Sequence, residues 1–387
     1  MIAKQVLFRY PSFPIWRGVS LRPNALAVAP FELGWDPAGF VRQTTEAAAI
    51  DRVVADYARD GYVHMTKPPG SSEWATRLGE ARIDFVRRVL PKIAGRTFLE
   101  IGGGTLYVAT RLVRDLGAAN CTVVDPAITL EGKMPVGIAV RREYFTPALA
   151  AELSVDAILG FHVFEHLPDP LEFLRAARQA ISSPSGRVIL SMPDCEWDMR
   201  NATLSPFIHE HISYFTDSTA RRLFARAGFE AVAGEARNGI LSYVLAPMAA
   251  PSGEEIAAPV LPDAQTATLG GRIEKFLAKT RREFDTVLTQ APMVAVHGAT
   301  TGVNSLFYLL GAPYCDRSVV FDGDASKVGQ YLPAVTQVIR HSSDSSYRTM
   351  RRVFLAVPGY REEIERYLEQ THRLKRSTIT MLGDPGV

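Results

Sequence analysis

The chain has 387 residues, 47% hydrophobic and 22% charged, as expected of a soluble globular protein with two or three domains. Its 43 basic and 41 acidic residues nearly cancel, so charge gives no case for nucleic acid or an anionic membrane surface as partner. No stretch approaches the roughly 18 apolar residues of a membrane span. Cys121, Cys195 and Cys315 stand far apart with no CxxC pair, which speaks against a disulfide framework or a thiolate zinc site and for a reducing, cytoplasmic setting.

In chain order, residues 1–75 read as a small, proline-rich and irregular domain with one predicted helix, "AAAIDRVVADYARD". Residues 76–247 alternate strand and helix patterns, the signature of a parallel α/β sheet. Within it, "TFLEIGGGTLYVATRL" runs an apolar strand into Gly102, Gly103 and Gly104 and then into a helix. Glycines admit positive φ and close approach of a ligand, and the free N–H groups of a helix start favour polar or anionic atoms. The spacing is not GxGxxG, because position 107 is tyrosine. The next strand, "CTVVDP", ends in Asp125, a carboxylate placed either to accept both ribose hydroxyls of an adenosine or to cap the turn before Pro126. Glu100 and the glycine run favour binding.

Further on, "DAILGFHVFEHLPDPLEFLRAARQAISSPSGRVILSMP" spells strand, polar loop, amphipathic helix, turn and strand. "HEHISYF", residues 209–215, follows and precedes a helix that Thr216 or Ser218 can cap. His209 and His211 would share one side of an extended segment, but no third ligand is evident and no metal is expected. Three ionisable groups at the carboxyl edge of the sheet point to proton transfer instead. Residues 248–290 read as a linker and a long amphipathic helix, and residues 291–387 as a second α/β run. Its "HGATTG" reads equally as a cradle for part of a nucleotide diphosphate and as tight helix–strand packing; Lys327 reads as a phosphate contact or a solvated lysine.

The segment from about residue 95 to 247 resembles the class I S-adenosylmethionine-dependent methyltransferases: "LEIGGG", "VVDP", "HVFEHLPDP" and "PSGRVILSMP" come in that family's order. The resemblance implies a Rossmann-like α/β domain. Glu100 and Gly102–Gly104 would lie against the methionine part of the cofactor, Asp125 on the ribose and His162 beside the sulfonium, with S-adenosyl-L-homocysteine as product. "HEHISYF" narrows the resemblance to sugar C-methyltransferases acting on nucleotide-linked 4-keto-deoxysugars. By that likeness His211 is the catalytic base and Glu210 its partner, with Tyr62 in "GYVHM" and His209 as substrate contacts. The C-terminal run resembles that family's Rossmann-like substrate domain. "FELGWDPAGFVRQ" looks like its zinc knuckle, but Asp36 and Ala38 stand among the positions where thiolates are expected, so the module is degenerate and no zinc should bind. Ile208 stands where that family has tyrosine, which removes one hydroxyl.

The expectation is an S-adenosyl-L-methionine-dependent C-methyltransferase acting alpha to a ketone on a small molecule, with no nucleic acid or membrane partner. Two other readings stay open: an O- or N-methyltransferase, whose acceptor brings its own lone pair, and a catalytically silent scaffold that only binds the cofactor.

Overall fold

The structure, a computed structural model, describes residues 6–36, 39–46, 48–52, 55, 69, 73–128, 133–201, 203–249 and 269–382. Strands β1 (Val6–Ile15), β2 (Ala27–Trp35) and β3 (Val41–Gln43) precede helix α1 (Glu73–Val89). Next come β4 (Thr97–Ile101), α2 (Tyr107–Thr110), β5 (Asn120–Val124), β6 (Ile138–Arg141), α3 (Pro147–Glu152), β7 (Ala157–Phe161), α4 (Pro170–Ala180) and β8 (Arg187–Pro193). α5 (Cys195–Arg200), β9 (Ser213–Tyr214), α6 (Asp217–Arg226), β10 (Phe229–Arg237) and β11 (Ile240–Pro247) follow. The chain then forms α7 (Leu269–Leu288), β12 (Val294–His297), α8 (Thr301–Leu310), β13 (Ser318–Asp322), β14 (Arg340–His341), β15 (Val353–Leu355), α9 (Arg361–His372) and β16 (Ile379–Met381).

The chain groups into two compact units, one of residues 1–4, 34–194 and 210–260, the other of residues 5–33, 195–209 and 261–387. The first is built on a seven-stranded sheet in the order β6-β5-β4-β7-β8-β11-β10. Strands β6 to β8 in that order are parallel, and β11 runs antiparallel to both β8 and β10. Successive side chains point to opposite faces, so each strand feeds two cores. Leu99, Ile101, Ile158, Val188 and Leu190 pack with α4 and α6 on one face. Phe98, Val123, Leu159 and Phe161 pack with Ile83 and Val86 of α1, and Leu90 just past its end, on the other. By this alternation Glu100 lies on the α1 face.

α6 begins where the sequence suggested. Thr216 accepts from the Thr219 N–H and Thr219 returns the bond to the Thr216 backbone, a reciprocal cap that fixes the chain just past Phe215.

The second unit carries a parallel five-stranded sheet in the order β14-β13-β12-β15-β16. α7 forms as one helix despite Gly270 and Gly271, and buries Phe284 against the rings of Phe307, Tyr314 and Phe354. Gly302 fits the packing reading of "HGATTG", because a Cβ there would sit 2.6 Å from Ser205 Oγ. Lys327 is half-buried and paired: its ammonium lies 3.0 Å from an Asp322 oxygen and donates to Ala299 O at 3.0 Å.

The N-terminal segment departs from expectation. Instead of an irregular domain it supplies β1 and most of β2 to the second unit, burying Leu7, Phe8, Phe13, Phe31 and Leu33. Pro11 and Pro14 masked the strand pattern, yet β1 is an edge strand, where a missing N–H is tolerated. The helix expected over residues 47–60 is helical at 48–52, and most of its remainder lies outside the described residues.

Candidate active site

The carboxyl ends of β4, β5 and β7 converge on the glycine turn. Gly102 and Gly104 take φ of 72° and 52°, and the Gly104 N–H donates to Asp125 Oδ2 at 2.9 Å. The other Asp125 oxygen accepts from the Ala127 N–H at 2.8 Å. Asp125 is thus held rigidly at the strand end, both capping its turn and presenting a buried carboxylate there. The turn has no room for side chains below: a Cβ on Gly103 would lie 2.5 Å from Val123 Cγ1, and one on Gly102 would lie 2.4 Å from Val163 Cγ2. Above Gly104 nothing lies within 4 Å of the corresponding point. A turn closed beneath and open above is the shape a cofactor needs to reach the backbone.

Glu100 sits under this turn with its Oε2 accepting from the Ala109 N–H at 3.0 Å. Burial pushes its carboxyl up to about 8, against the lowering pull of Arg82 and the Ala109 N–H; the charge of Asp125 adds to the rise.

The loop after β7 opens with His162 in the left-handed region, φ 57°, its N–H bonded to Ser191 O at 2.9 Å. A non-glycine residue there is strained, and the strain turns the imidazole back toward the loop. His162 Nδ1 lies 3.2 Å from Glu165 Oε1. The Glu165 side chain is only 3% exposed, and its Oε2 has no hydrogen-bond partner among the described residues. Burial alone would raise this carboxyl. The His162 hydrogen bond, with the charges offered by His162, His166 and His211, outweighs it and holds the group down to about 2.

His211 is brought to this loop by a set of backbone clamps. The Ile212 N–H donates to Glu165 O at 2.8 Å, Ser213 Oγ to Leu167 O at 3.3 Å, and Gln43 Nε2 to His211 O at 2.9 Å. β9 pairs with β3, and Phe215 stacks on Phe164 with ring centroids 4.8 Å apart. The result sets the His211 ring 4.9 Å from that of His166, edge to face, and leaves it 4% exposed. His166 Nδ1 donates to Glu210 O at 2.9 Å, a bond to a carbonyl that keeps its Nε2 free to accept in the neutral ring.

The structure therefore gathers Glu100, Gly102–Gly104, Asp125, His162 and His211 at one sheet edge, and adds Glu165 and His166. Those two were readable only as loop residues in "HVFEH"; their role depends on the fold-back of residues 211–215, which no local pattern announces. Glu210 enters through its backbone carbonyl, and the carboxylate facing His211 is that of Glu165. His209 does not join the cluster. It is 1% exposed in the second unit, its Nε2 3.1 Å from Pro30 O, its ring among Phe13 and Phe31, so the expected substrate contact is a packing residue. Alternation fails here because residues 208–210 form a bend and a turn rather than an extended strand. Tyr62 lies outside the described residues.

Glu165, His166 and His211 place one donor atom each within 4.8 Å of one another, two imidazoles and a carboxylate that are the donor types of a divalent-metal centre. Four-coordinate Zn²⁺ with bonds of about 2.1 Å holds its ligands roughly 3.4 Å apart.

Residues 74–233 match the family described as "Methyltransferase domain". The segment is a methyltransferase domain, an enzyme domain whose cofactor is S-adenosyl-L-methionine, and the glycine turn, Glu100 and Asp125 fit that cofactor. Among curated proteins, the C-methyltransferase NovU of Streptomyces niveus is 24% identical over 229 residues, covering 54% of this chain and 54% of that protein. The ubiquinone biosynthesis O-methyltransferase of Ruegeria pomeroyi is 27% identical over 144 residues, covering 32% of this chain and 56% of that protein. The chain spans about half the length of the curated relatives it matches. Similar solved structures include an S-adenosylmethionine-dependent methyltransferase from Mesorhizobium loti (16% identity, TM-score 0.34, 43% of this chain and 97% of that one). The DhpI–SAH complex is another (16% identity, TM-score 0.35, 53% and 95%).

Proposed function

We propose that the chain is a C-methyltransferase that methylates a carbon alpha to a ketone, on a nucleotide-linked keto-deoxysugar or a related small molecule. The observation that carries this reading is the Glu165–His166–His211 cluster, buried at Glu165 and His211, at the sheet edge that also holds the glycine turn. A carbon bearing only hydrogen must lose a proton before it can attack, and the ketone oxygen then holds the charge. An acceptor with its own lone pair would not need a desolvated base. The likeness to NovU, a C-methyltransferase, points the same way.

Bound S-adenosyl-L-methionine supplies an electrophilic methyl group. Gly102–Gly104 and Asp125 would hold it, with His162 at the edge of that pocket. His211 removes the alpha proton. Glu165, ionised and desolvated, stabilises the imidazolium that results. His166, its tautomer set by the Glu210 carbonyl, keeps Nε2 able to accept from a substrate hydroxyl or from the base.

Solvent exchange tests the first half-reaction without methyl transfer. With S-adenosyl-L-homocysteine bound and D₂O as solvent, deuterium should enter the carbon alpha to the ketone, and His211→Asn should slow this on the order of 10²–10⁴-fold. Carbon NMR of the product should show a new C–CH₃. Wild-type exchange in both His211→Asn and His211→Ala would remove the base role, and a product methyl on oxygen or nitrogen would overturn C-methylation. The base reading needs no metal, so treatment with a chelator and dialysis should leave turnover unchanged; lost turnover restored by Zn²⁺ or Co²⁺ would make the cluster a metal centre.

A further inference from the structure

By sequence alone His211 lacked a third ligand, because the histidine beside it in the pattern was His209. The fold replaces His209 with two other residues. Glu165, His166 and His211 bring one donor atom each to within 4.8 Å of one another, all inside the first unit. Three features of this set go beyond what a proton acceptor requires. First, His166 Nδ1 donates to Glu210 O at 2.9 Å, which leaves the Nε2 lone pair for a ligand. Metal-binding imidazoles are oriented by this kind of bond from the second ring nitrogen to a carbonyl. Second, His162 Nδ1 holds Glu165 Oε1 at 3.2 Å, while Glu165 Oε2 is buried with no hydrogen-bond partner among the described residues. A carboxylate oxygen sealed from water without a donor is costly, and a cation offsets that cost. Third, the Ile212 N–H donates to Glu165 O at 2.8 Å, so the two segments that carry the donors are fixed to each other.

The donor types choose the ion. Two neutral imidazoles and a carboxylate suit Zn²⁺ and Co²⁺, whereas Mg²⁺ and Ca²⁺ take oxygen ligands. Four-coordinate Zn²⁺ would draw the donors from 4.8 Å to about 3.4 Å, a movement that side-chain rotation supplies, and would keep one position open. His166 is only partly buried, which gives the ion a way in.

We infer that the cluster is a Zn²⁺-binding site and that the bound ion inhibits the enzyme. A neutral imidazole has one lone pair, and His211 cannot hold a metal and take a proton with it at once. Binding stands on the geometry alone; the inhibition rests on the base role of His211 proposed above.

The test uses the full chain, freed of metal by a chelator, with Co²⁺ and Zn²⁺ as probes. Co²⁺ should give the strong visible d–d absorption of a four- or five-coordinate ion, saturating at one ion per chain, and Zn²⁺ should abolish it. His166→Gln and Glu165→Gln should each raise the binding midpoint at least roughly 10-fold, since losing a ligand costs no less than losing an outer-shell partner. His341→Gln, in the second unit, should leave it in place. Deuterium exchange is then followed with S-adenosyl-L-homocysteine and a nucleotide-linked 4-keto-deoxysugar. It should fall on the order of 10²–10⁴-fold as Zn²⁺ fills the site, the loss expected on removing the base. Chelator should restore it, and Mg²⁺ should have no effect. No d–d band at saturating Co²⁺, or a midpoint that neither ligand variant moves, overturns the site. A filled site with undiminished exchange overturns the inhibition and the base role of His211, while the site stands. Exchange that is absent until Zn²⁺ is added overturns the inhibition and the metal-free mechanism together. A chain with no exchange under either condition sinks the base reading and the inhibition with it, and the Co²⁺ band then decides the site by itself.

Discussion

At the scale of single residues, the site is governed by two buried carboxyls pushed in opposite directions. Glu165 is surrounded by imidazoles and stays ionised; Glu100 has one partial counter-charge and is pushed up to about 8. The second case makes a testable statement about stability. In the unfolded chain Glu100 titrates near 4.5, so between that value and about 8 the folded state holds a proton that the unfolded state has lost. Its contribution is therefore full below pH 4.5 and declines as pH rises toward 8. Glu100→Gln should flatten the fall in Tm of the cofactor-free protein between pH 5 and 8, measured by calorimetry; an unchanged slope would count against the raised carboxyl. The residue scale is also where sequence reading was most uneven. Glu100, the three glycines and Asp125 were legible because one strand–turn–helix pattern contains or aims them. His211 was legible because three ionisable groups in a row are rare in a chain with eight histidines. Glu165 was not, since it matters through His211, remote in sequence, and His209 misled because its neighbour's chemistry was credited to it.

At the scale of elements, the loop 162–167 is the hinge between cofactor and base. Val163 touches the glycine turn from one side, while Glu165 and Leu167 take the backbone of residues 212 and 213 from the other. Gly102→Ala would need a left-handed backbone with a side chain, and its Cβ would meet Val163 Cγ2 at 2.4 Å. We expect a loss of about 1–3 kcal/mol of stability by denaturant titration. We also expect turnover to fall together with cofactor affinity, because a displaced Val163 carries Glu165 with it. Weakened cofactor binding with normal solvent exchange at the substrate carbon would show that the loop does not couple the two. The central strands and helices were readable from periodicity, whereas the order of the seven-stranded sheet comes from the structure. β1 and β2 escaped because prolines and polar residues interrupt their alternation, and the pairing that makes them strands is supplied by the rest of the sheet.

At the scale of the whole molecule, neither unit is a continuous piece of chain. Residues 5–33 and 195–209 group with residues 261–387, and the aromatic packing of Phe8, Phe13, Phe31, Phe207 and His209 draws on the first two of these segments. A fragment of residues 1–260 should then leave that packing unsupported. It should bind a hydrophobic dye and melt at lower temperature than the intact chain, although it includes all of the matched methyltransferase domain. A fragment that melts as sharply and as high as the full chain would refute this. Among the described residues no helix is long and apolar enough to cross a membrane.

The interleaving also has a temporal side. A ribosome delivers β1 more than 250 residues before the helices α7 and α8 that pack against it. Over that stretch of synthesis an aromatic-rich strand lacks the helices that cover it in the folded unit. This protein should therefore depend on chaperone shielding during translation more than its size alone suggests.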